Sequence, residues 1–307
     1  MNEGSIPVIL DTDIGSDIDD SVCLAYLLCQ PRCELVGITT VSGRDPRDRA
    51  ALASAVCRAA GRDDVPIHSG AASRIMDGEI MQPNVPQAVV LDRFDHRGAS
   101  DFAPNTAVRF LQETINARPG EITLLAIGAM TNLGLLFSLD PGTAHKLKRL
   151  VLMCGYFYLG GRPWRSHPFR EPNALSDPLA THIVYRSSVA DHLSVGADVT
   201  TLIQMQTPEC VTRFKSARGP MKVVSAMTEV WNHTCATVTF HDPLAASLIF
   251  NPEICTYQQG QIAVELASPR IPGLTYFDRN DSNRPHRVAC EVNSQAFFKE
   301  YFGITGG

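Results

Sequence analysis

Five aspartates follow the first apolar segment of the chain within ten residues, and no basic residue lies among them. They are Asp11, Asp13, Asp17, Asp19 and Asp20. Crowded carboxylates repel one another unless a cation is bound or some of them stay protonated. Their oxygen atoms suit a hard cation such as Ca²⁺ or Mg²⁺ better than zinc. An acidic helix N-terminus would account for one or two of the five as caps, so the loop predicts a cation site.

Two known kinds of acidic loop can be compared with this one. An EF-hand loop has Gly at its sixth position and Glu at its twelfth, whereas counting from Asp11 gives Ser16 and Val22 there. The loop is therefore not an EF-hand. A strand that ends in Asp-x-Asp also resembles the haloacid dehalogenase phosphatases, in which Gly typically follows the second Asp. Here Ile14 follows it, so a metal-dependent phosphatase is kept only as an alternative.

Apolar segments alternate with helical patterns along most of the chain. The predicted strands are residues 6–10, 34–40, 65–68, 121–127 and 149–153. The predicted helices are residues 19–28, 47–60, 105–117, 132–138, 220–238 and 295–302. This alternation is typical of an α/β fold with a mainly parallel open sheet and flanking helices. Residues 251–268 alternate like a small antiparallel hairpin, and no repeat or Gly/Ser linker divides the chain, so we expect a single domain over residues 1–307.

Two segments break the alternation, residues 70–104 and 154–177. They are rich in Gly, Pro, Arg and Asn, and structureless stretches of such length are usually functional loops. Ligands bind at the carboxyl ends of strands in open α/β sheets, where the acidic loop is also predicted to lie. Aromatic and imidazole side chains in or near these segments could stack on a base without distinguishing purine from pyrimidine. They are His96, Trp164, His167 and Trp231.

Composition excludes several classes of protein. The 32 acidic residues outnumber the 27 Lys and Arg residues, giving a net charge of -5, so a basic face for gripping nucleic acid is not expected. No apolar run approaches the roughly 18 residues of a membrane span. The nine cysteines form no Cys-x-x-Cys pair, and the N-terminus lacks the basic region of a signal peptide. Both features predict a cytoplasmic protein with reduced thiols.

The Asp-Thr-Asp-x-Gly run that ends in Asp19-Asp20 resembles the signature of the calcium-dependent nucleoside hydrolases, the inosine-uridine preferring nucleoside N-ribohydrolase family. Six further blocks match that family in order along the chain. They are I-T-T-V-S-G at 38–43, I-G-A-M-T-N at 127–132, V-L-M-C-G at 151–155, E-P-N and D-P at 171–173 and 177–178, G-A-D-V-T at 196–200, and H-D-P-L-A at 241–245. The resemblance implies a Rossmann-like architecture, a nucleoside or ribosyl substrate, Ca²⁺ as cofactor, and a homodimer or homotetramer.

The resemblance also implies roles for individual residues. Asp13 matches the carboxylate that touches both the metal and the attacking water and acts as general base. Asp20, Asp242 and the backbone carbonyl of Thr131 match metal ligands, and Asp11 matches a carboxylate that supports the metal loop. These roles suit the chemistry, because N-glycosidic cleavage passes through a cation-like sugar. Such a site needs anionic surroundings and an activated water.

Four further residues match positions that hold the substrate. Asp19 and Asn173 match groups that bind the ribose hydroxyls, and Glu171 matches one near the 5′-hydroxyl. His241 matches the residue beside the departing base, where an imidazole can act as general acid. The signature is two residues longer here than in the family, so Asp17 competes with Asp19 for the ribose; we prefer Asp19 because Asp19-Asp20 directly precedes the helix.

Two departures from the family bear on the substrate. Arg44 stands where the family has an Asn that reaches the ribose; it could pair with Asp17, bind a substrate anion such as a 5′-phosphate, or be one solvated charge of the run R-D-P-R-D-R. Gly161 stands where a second Asn is expected. Together they leave a non-catalytic ribosyl-binding protein as the main alternative to a hydrolase.

Overall fold

The computed structural model describes residues 4–157, 159 and 169–306. Its strands are β1 Ile6–Thr12, β2 Cys33–Thr40, β3 Ile67–Ser69, β4 Thr123–Ala126, β5 Arg149–Met153, β6 His192–Val195, β7 Gln204–Gln206, β8 Thr237–Thr239, β9 Cys255–Val264, β10 Thr275–Asp278 and β11 His286–Val292. Its α-helices are α1 Asp19–Cys29, α2 Pro46–Ala59, α3 Ala107–Ala117, α4 Thr131–Leu139, α5 Pro172–Ser176, α6 Pro178–Arg186, α7 Ala197–Thr200, α8 Thr207–Ser216, α9 Met221–Trp231, α10 His241–Phe250 and α11 Ser294–Thr305.

Nine strands form one sheet in the order β10-β9-β11-β6-β5-β4-β1-β2-β3. The pairs from β3 across to β11 are parallel, and β9 pairs antiparallel with both β11 and β10. The predicted α/β fold with a small antiparallel C-terminal extension is therefore confirmed. The chain moves outward from β1 through β2 and β3, then returns to β4 and moves the other way. Ligands bind at the carboxyl ends of strands where the order reverses in this way, which here is between β1 and β4.

Helices on both faces bury the sheet. Val8, Ile9 and Leu10 are consecutive in β1, and all three are completely buried, as expected for a parallel strand that is covered on both sides. Burial of each such side chain contributes roughly 1.5–3 kcal/mol. The backbone at the end of β1 is therefore held firmly on a rigid core, and so is the acidic loop that follows it.

The C-terminal third of the chain differs from the sequence prediction. Residues 251–268 do not form a hairpin by themselves, because β9 is one long strand whose partners lie later in the chain. Its alternation reflects one buried and one exposed face, which is a property of any antiparallel strand. The helix predicted over 220–238 ends at Trp231, and the β-branched Thr-Val-Thr run after it forms β8. Between residues 172 and 216, α5, α6, β6, α7, β7 and α8 were not predicted.

None of the helices that the structure describes is both long enough and apolar enough to cross a bilayer.

Candidate functional site

A pocket of about 240 Å³ opens at the carboxyl edge of the sheet, beside the reversal point between β1 and β4. The carboxylates of Asp13, Asp17, Asp19, Asp20 and Asp242 form the part of the lining that we call the acidic end, and the paired rings of Tyr156 and Phe169 form the part that we call the apolar end. The polar lining side chains are Asp13, Asp17, Asp19, Asp20, Gln82, Glu171, Asn173, Thr201, His241 and Asp242. The apolar lining residues are Ile127, Met153, Tyr156, Phe169, Pro172 and Ala197.

Three buried carboxylates meet at the acidic end. One oxygen each of Asp19, Asp20 and Asp242 lies within 4.8 Å of the others. The backbone N–H of Asp242 also donates to Asp19 Oδ2 at 3.2 Å, which ties the start of α10 to the start of α1. Burial raises the pKa of all three, and so does repulsion from the aspartates around each of them, including Asp13 and Asp17. An all-oxygen set of this kind fits a hard divalent cation, which would relieve the repulsion.

Asp13 lies next to this cluster. It is buried, and its Oδ2 atom has no hydrogen-bond partner among the described residues. A Cβ at Gly128 would lie 3.0 Å from both the backbone nitrogen and Oδ1 of Asp13, so this position allows no larger side chain without a shift. Burial raises the pKa of Asp13. The Asp13 carboxylate is thus held close against the backbone with one oxygen left for a ligand or a proton.

The other residues of the acidic loop divide into two groups. Asp11 does not line the pocket: its Oδ1 accepts from Thr39 and, at 2.7 Å, from Asn132 Nδ2, and burial raises its pKa to about 7. The role of Asp11 in supporting a metal loop is still a prediction. Asp17 does line the pocket, and burial raises its pKa to about 6. Because Asp19 lines the pocket as well, both candidates for the ribose remain.

A buried arginine, missed by the sequence analysis, lies behind the acidic loop. Arg49 is completely buried and donates to the backbone carbonyls of Asp13, Ile14, Ser42 and Gln82. Its positive charge partly offsets the rise in the pKa of Asp13 that burial causes. The run R-D-P-R-D-R has the composition of a solvated surface. Arg49, however, precedes the buried Leu52 and Ala53 by three and four residues, and this helical spacing could have indicated that Arg49 lies on the buried face of the helix.

Asn173 and Glu171 are anchored by the backbone around them. Asn173 Nδ2 donates to the carbonyls of Ile127 at 2.7 Å and Met153 at 3.0 Å, so its donors are used and its carbonyl oxygen is left as an acceptor. Glu171 accepts from the backbone N–H groups of Gly155, Asn173 and Ala174 at 2.8–2.9 Å and thereby caps α5. Burial raises the pKa of Glu171 to about 7.

His241 lies at the start of α10 and lines the pocket. Its Nδ1 atom is hydrogen-bonded to the Thr200 hydroxyl at 2.5 Å. Burial lowers the pKa of His241 to about 4, so its imidazole is neutral at neutral pH. When the Thr200 hydroxyl donates to Nδ1, the ring hydrogen is on Nε2; when Nδ1 carries the hydrogen, the hydroxyl accepts it.

Several predicted positions are not at the pocket wall. Arg44 is exposed and forms no ion pair within the described ranges, so the suggested pairing with Asp17 is wrong. His96 Nδ1 contacts the carbonyl of Phe94, and Trp231 donates to the carbonyl of Thr237. The Thr131 side chain donates to Asp177 at 2.9 Å, and the role of its carbonyl is still a prediction. Gly161, Trp164 and His167 lie outside the described residues.

Two aromatic residues that the sequence analysis did not select form the apolar end of the pocket. The rings of Tyr156 and Phe169 pack edge to face with centroids 5.1 Å apart. Both follow the strand β5 and lie in the segment 154–177, which was predicted to be a functional loop. No periodic pattern marks these two residues, since they lie in an irregular segment.

Comparison with known proteins matches residues 8–299 to the family model described as inosine-uridine preferring nucleoside hydrolase. The chain is 30% identical over 274 residues to uridine nucleosidase 1 of Arabidopsis thaliana, covering 84% of this chain and 78% of that protein. It is 28% identical over 309 residues to the pyrimidine-specific ribonucleoside hydrolase RihA of Citrobacter koseri, covering 95% and 96%. The solved structure of a purine-preferring ribonucleoside hydrolase from Gardnerella vaginalis has the same fold, with a TM-score of 0.81, 22% identity and 98% of both chains covered.

Proposed function

The chain belongs to the inosine-uridine preferring nucleoside hydrolase family, and from this premise we propose that it hydrolyses the N-glycosidic bond of ribonucleosides with the help of a divalent cation. The observation that carries the proposal is the meeting of Asp19, Asp20 and Asp242 beside Asp13 in one pocket. The products would be free base and ribose, as in nucleoside salvage. The family match over residues 8–299 gives no support to the dehalogenase-like phosphatase.

We propose Ca²⁺ as the cation, because Ca²⁺ accepts several carboxylates whereas Mg²⁺ usually keeps its waters and takes one or two. Asp20 and Asp242 would hold it, together with Asp13 and the carbonyl of Thr131 as the family resemblance implies. The distance of Asp19 from both Asp20 and Asp242 makes Asp19 a further candidate ligand. A bound cation would supply charge neutralisation and would acidify a water molecule in the pocket.

Asp13 would act as the general base. Its unpartnered Oδ2 can accept the proton of the attacking water, and a positioned base of this kind typically contributes about 10²–10⁴-fold in rate. The surrounding carboxylates favour the positive charge that develops on the sugar. Water attack and sugar stabilisation would then take place at the same acidic end of the pocket.

The substrate would be oriented by hydrogen bonds to its ribose. The Asn173 carbonyl oxygen and the Asp19 carboxylate would accept hydrogen bonds from ribose hydroxyls, and Glu171 would do so from the 5′-hydroxyl. The base would extend toward His241 and the apolar end, where Tyr156 and Phe169 offer aromatic surface. Arg44 lies away from the pocket lining, so a contact between Arg44 and a substrate 5′-phosphate is not part of the proposal.

His241 would assist the departing base. Because burial keeps the ring neutral, we infer that His241 donates a hydrogen bond from its Nε2–H to the departing base, which leaves as the anion and then takes its proton from solvent water. The Thr200 hydroxyl would fix the tautomer that makes this possible. Loss of the Thr200 hydroxyl would leave the His241 tautomer unfixed. This loss should therefore affect the chemical step more than substrate binding.

Replacement of Thr200 by Val should lower kcat by about threefold to tenfold, as expected for the loss of one hydrogen bond of roughly 0.5–1.5 kcal/mol, while KM changes little. Thr200→Ser keeps the hydroxyl and serves as the matched control, with kcat near that of the wild type. Steady-state kinetics on both variants measure the effect. An unchanged kcat in Thr200→Val would show that the Thr200 hydroxyl does not fix the His241 tautomer for the reaction.

The proposed function is tested with a panel of uridine, cytidine, inosine and adenosine, in which released ribose is measured with Ca²⁺ present. We expect turnover of at least one of the four, and the panel also determines the base preference. Calorimetric binding of nucleoside without any ribose release would instead indicate a non-catalytic ribosyl-binding protein. Light scattering on the same preparation tests the dimer or tetramer that the resemblance implies.

A further inference from the structure

The guanidinium of Arg49 joins three separate loops around the pocket. Its Nε donates to the carbonyl of Ser42 at 2.9 Å, and its Nη2 donates to the carbonyl of Gln82 at 2.9 Å. Its Nη1 donates to the carbonyls of Asp13 and, at 3.1 Å, Ile14. These acceptors lie in the loop after β1, the loop after β2 and the long 70–104 loop.

All of these acceptors are neutral carbonyls. No carboxylate lies within ion-pair distance of Arg49 in the part of the chain that the structure describes. Burial of a guanidinium without a hydrogen-bonded counter-ion is costly. The negative charges that act on its pKa are those of Asp13, Asp20 and Asp48. The cost of burying Arg49 beside the acidic loop indicates that this side chain has a role in the arrangement of the pocket.

Two of the acceptor residues hold unusual backbone conformations. Ser42 has φ of 66° and Gln82 has φ of 48°, in the left-handed region that residues other than glycine rarely adopt. Residues in such sparsely populated conformations persist only when their surroundings determine them. The hydrogen bonds from Arg49 to the carbonyls of Ser42 and Gln82 help to hold both residues in these conformations.

Gln82 lines the pocket together with Asp13, and a hydrogen bond from its side chain partly offsets the rise in the pKa of Asp13 that burial causes. Backbone hydrogen bonds reinforce the same junction: Ser42 N–H donates to Ala71 O at 2.8 Å, and Gly43 N–H donates to Met81 O at 3.0 Å. Arg49 is the one side chain among the described residues that bonds to the backbone of both Asp13 and Gln82.

We propose that Arg49 is a positioning residue for the hydrolysis, which holds the Asp13 carboxylate and the Gln82 amide in a fixed arrangement beside each other at the acidic end of the pocket. This inference rests on the proposed function. Lys cannot replace Arg here, because a single ammonium cannot reach three loops in the way that the planar fork of a guanidinium does.

Arg49→Lys in the full chain with Ca²⁺ is the test, since it keeps the charge and removes the fork. We expect kcat to fall by about 10–100-fold, because small displacements of reacting groups have effects of that size, with a KM that changes far less. Arg58→Lys is the matched control. Arg58 lies on the same helix and pairs with Asp63 and Asp95 at 3.0 and 2.8 Å. Because Arg58 does not line the pocket, the kcat of Arg58→Lys should equal that of the wild type.

Two further measurements separate positioning from general stability. Guanidinium chloride at low millimolar concentration should restore part of the kcat of Arg49→Ala, whereas NaCl at equal concentration should not. Hydrogen exchange of residues 70–104 should be faster in Arg49→Lys than in the wild type. If Arg49→Lys does not fold, Gln82→Ala takes its place, and we expect at least a tenfold lower kcat at an unchanged melting temperature.

A wild-type kcat in Arg49→Lys or Gln82→Ala would overturn the inference. So would unchanged hydrogen exchange in 70–104, or a loss of kcat in Arg49→Ala that guanidinium does not restore. Failure of the wild-type chain to release ribose from any nucleoside would instead overturn the proposed function. In that case the hydrogen exchange of Arg49→Lys still decides whether Arg49 holds the 70–104 loop.

Discussion

Replacement of Asp13 by Asn should lower kcat for ribose release by about 10³-fold, within the range of a general base, and we expect the protein still to fold. Asn has the size of Asp and keeps one oxygen, but its amide nitrogen cannot accept a proton from water. The buried Asp13 Oδ2, which has no hydrogen-bond partner among the described residues, is the atom whose basicity is lost. Steady-state kinetics and a thermal melt measure the two parts of the prediction.

Asp95→Asn is the control for this substitution, because the Asp95 side chain is 84% exposed. Its kcat should match that of the wild type. Calorimetry of Ca²⁺ binding to Asp13→Asn separates loss of the base from loss of a ligand. Unchanged turnover in Asp13→Asn would show that another group accepts the proton.

Removal of the divalent cation should lower the melting temperature, and it should do so more at pH 8 than at pH 5. Burial raises the pKa of Asp11 and Glu171 to about 7 and that of Asp17 to about 6 in the metal-free protein. These carboxyls bind protons more tightly in the folded protein than in the unfolded chain, so the stability that they contribute is fully present below about pH 4 and is lost as the pH rises toward 7. Each unit of pKa shift corresponds to about 1.4 kcal/mol.

A bound cation should offset this loss, since a ligand at 100 times its dissociation constant stabilises the folded state by about 2.7 kcal/mol. We expect Ca²⁺ to raise the melting temperature at pH 8 by about 5 °C or more. Melting curves with chelator and with Ca²⁺ at several pH values provide the test. Asp242→Asn should weaken both the pH dependence and the response to Ca²⁺, and a chelator without effect at pH 8 would contradict the cation site.

The strands of the central sheet could be predicted because their local sequence pattern matches their burial in the fold. The strands near residues 6–10, 34–40 and 149–153 are buried on both faces, so their sequences read as continuous apolar runs. The segment from 172 to 216 was missed since its helices and strands are short and their ends depend on tertiary packing. The alternation of β9 predicted a strand, but its partners could not be read from local sequence.

The site shows the same division. The acidic loop is a local cluster, so its residue types alone predict a cation site. Asp242 is 223 residues from Asp19, and only the family resemblance could bring it to that site. Arg49 was missed because a charge run is usually a solvated face, whereas tertiary packing buries its last member. Arg44, the member of that run singled out from the sequence, is exposed to solvent, as is Asp48.

The most direct test of a cation-dependent hydrolase is the initial rate of ribose release from the best nucleoside of the panel as a function of free Ca²⁺ in chelator-buffered solution. We predict no release under full chelation and a rate that rises to saturation as Ca²⁺ is restored. Ribose release that persists unchanged under full chelation, or that is absent at every Ca²⁺ concentration, would contradict the account.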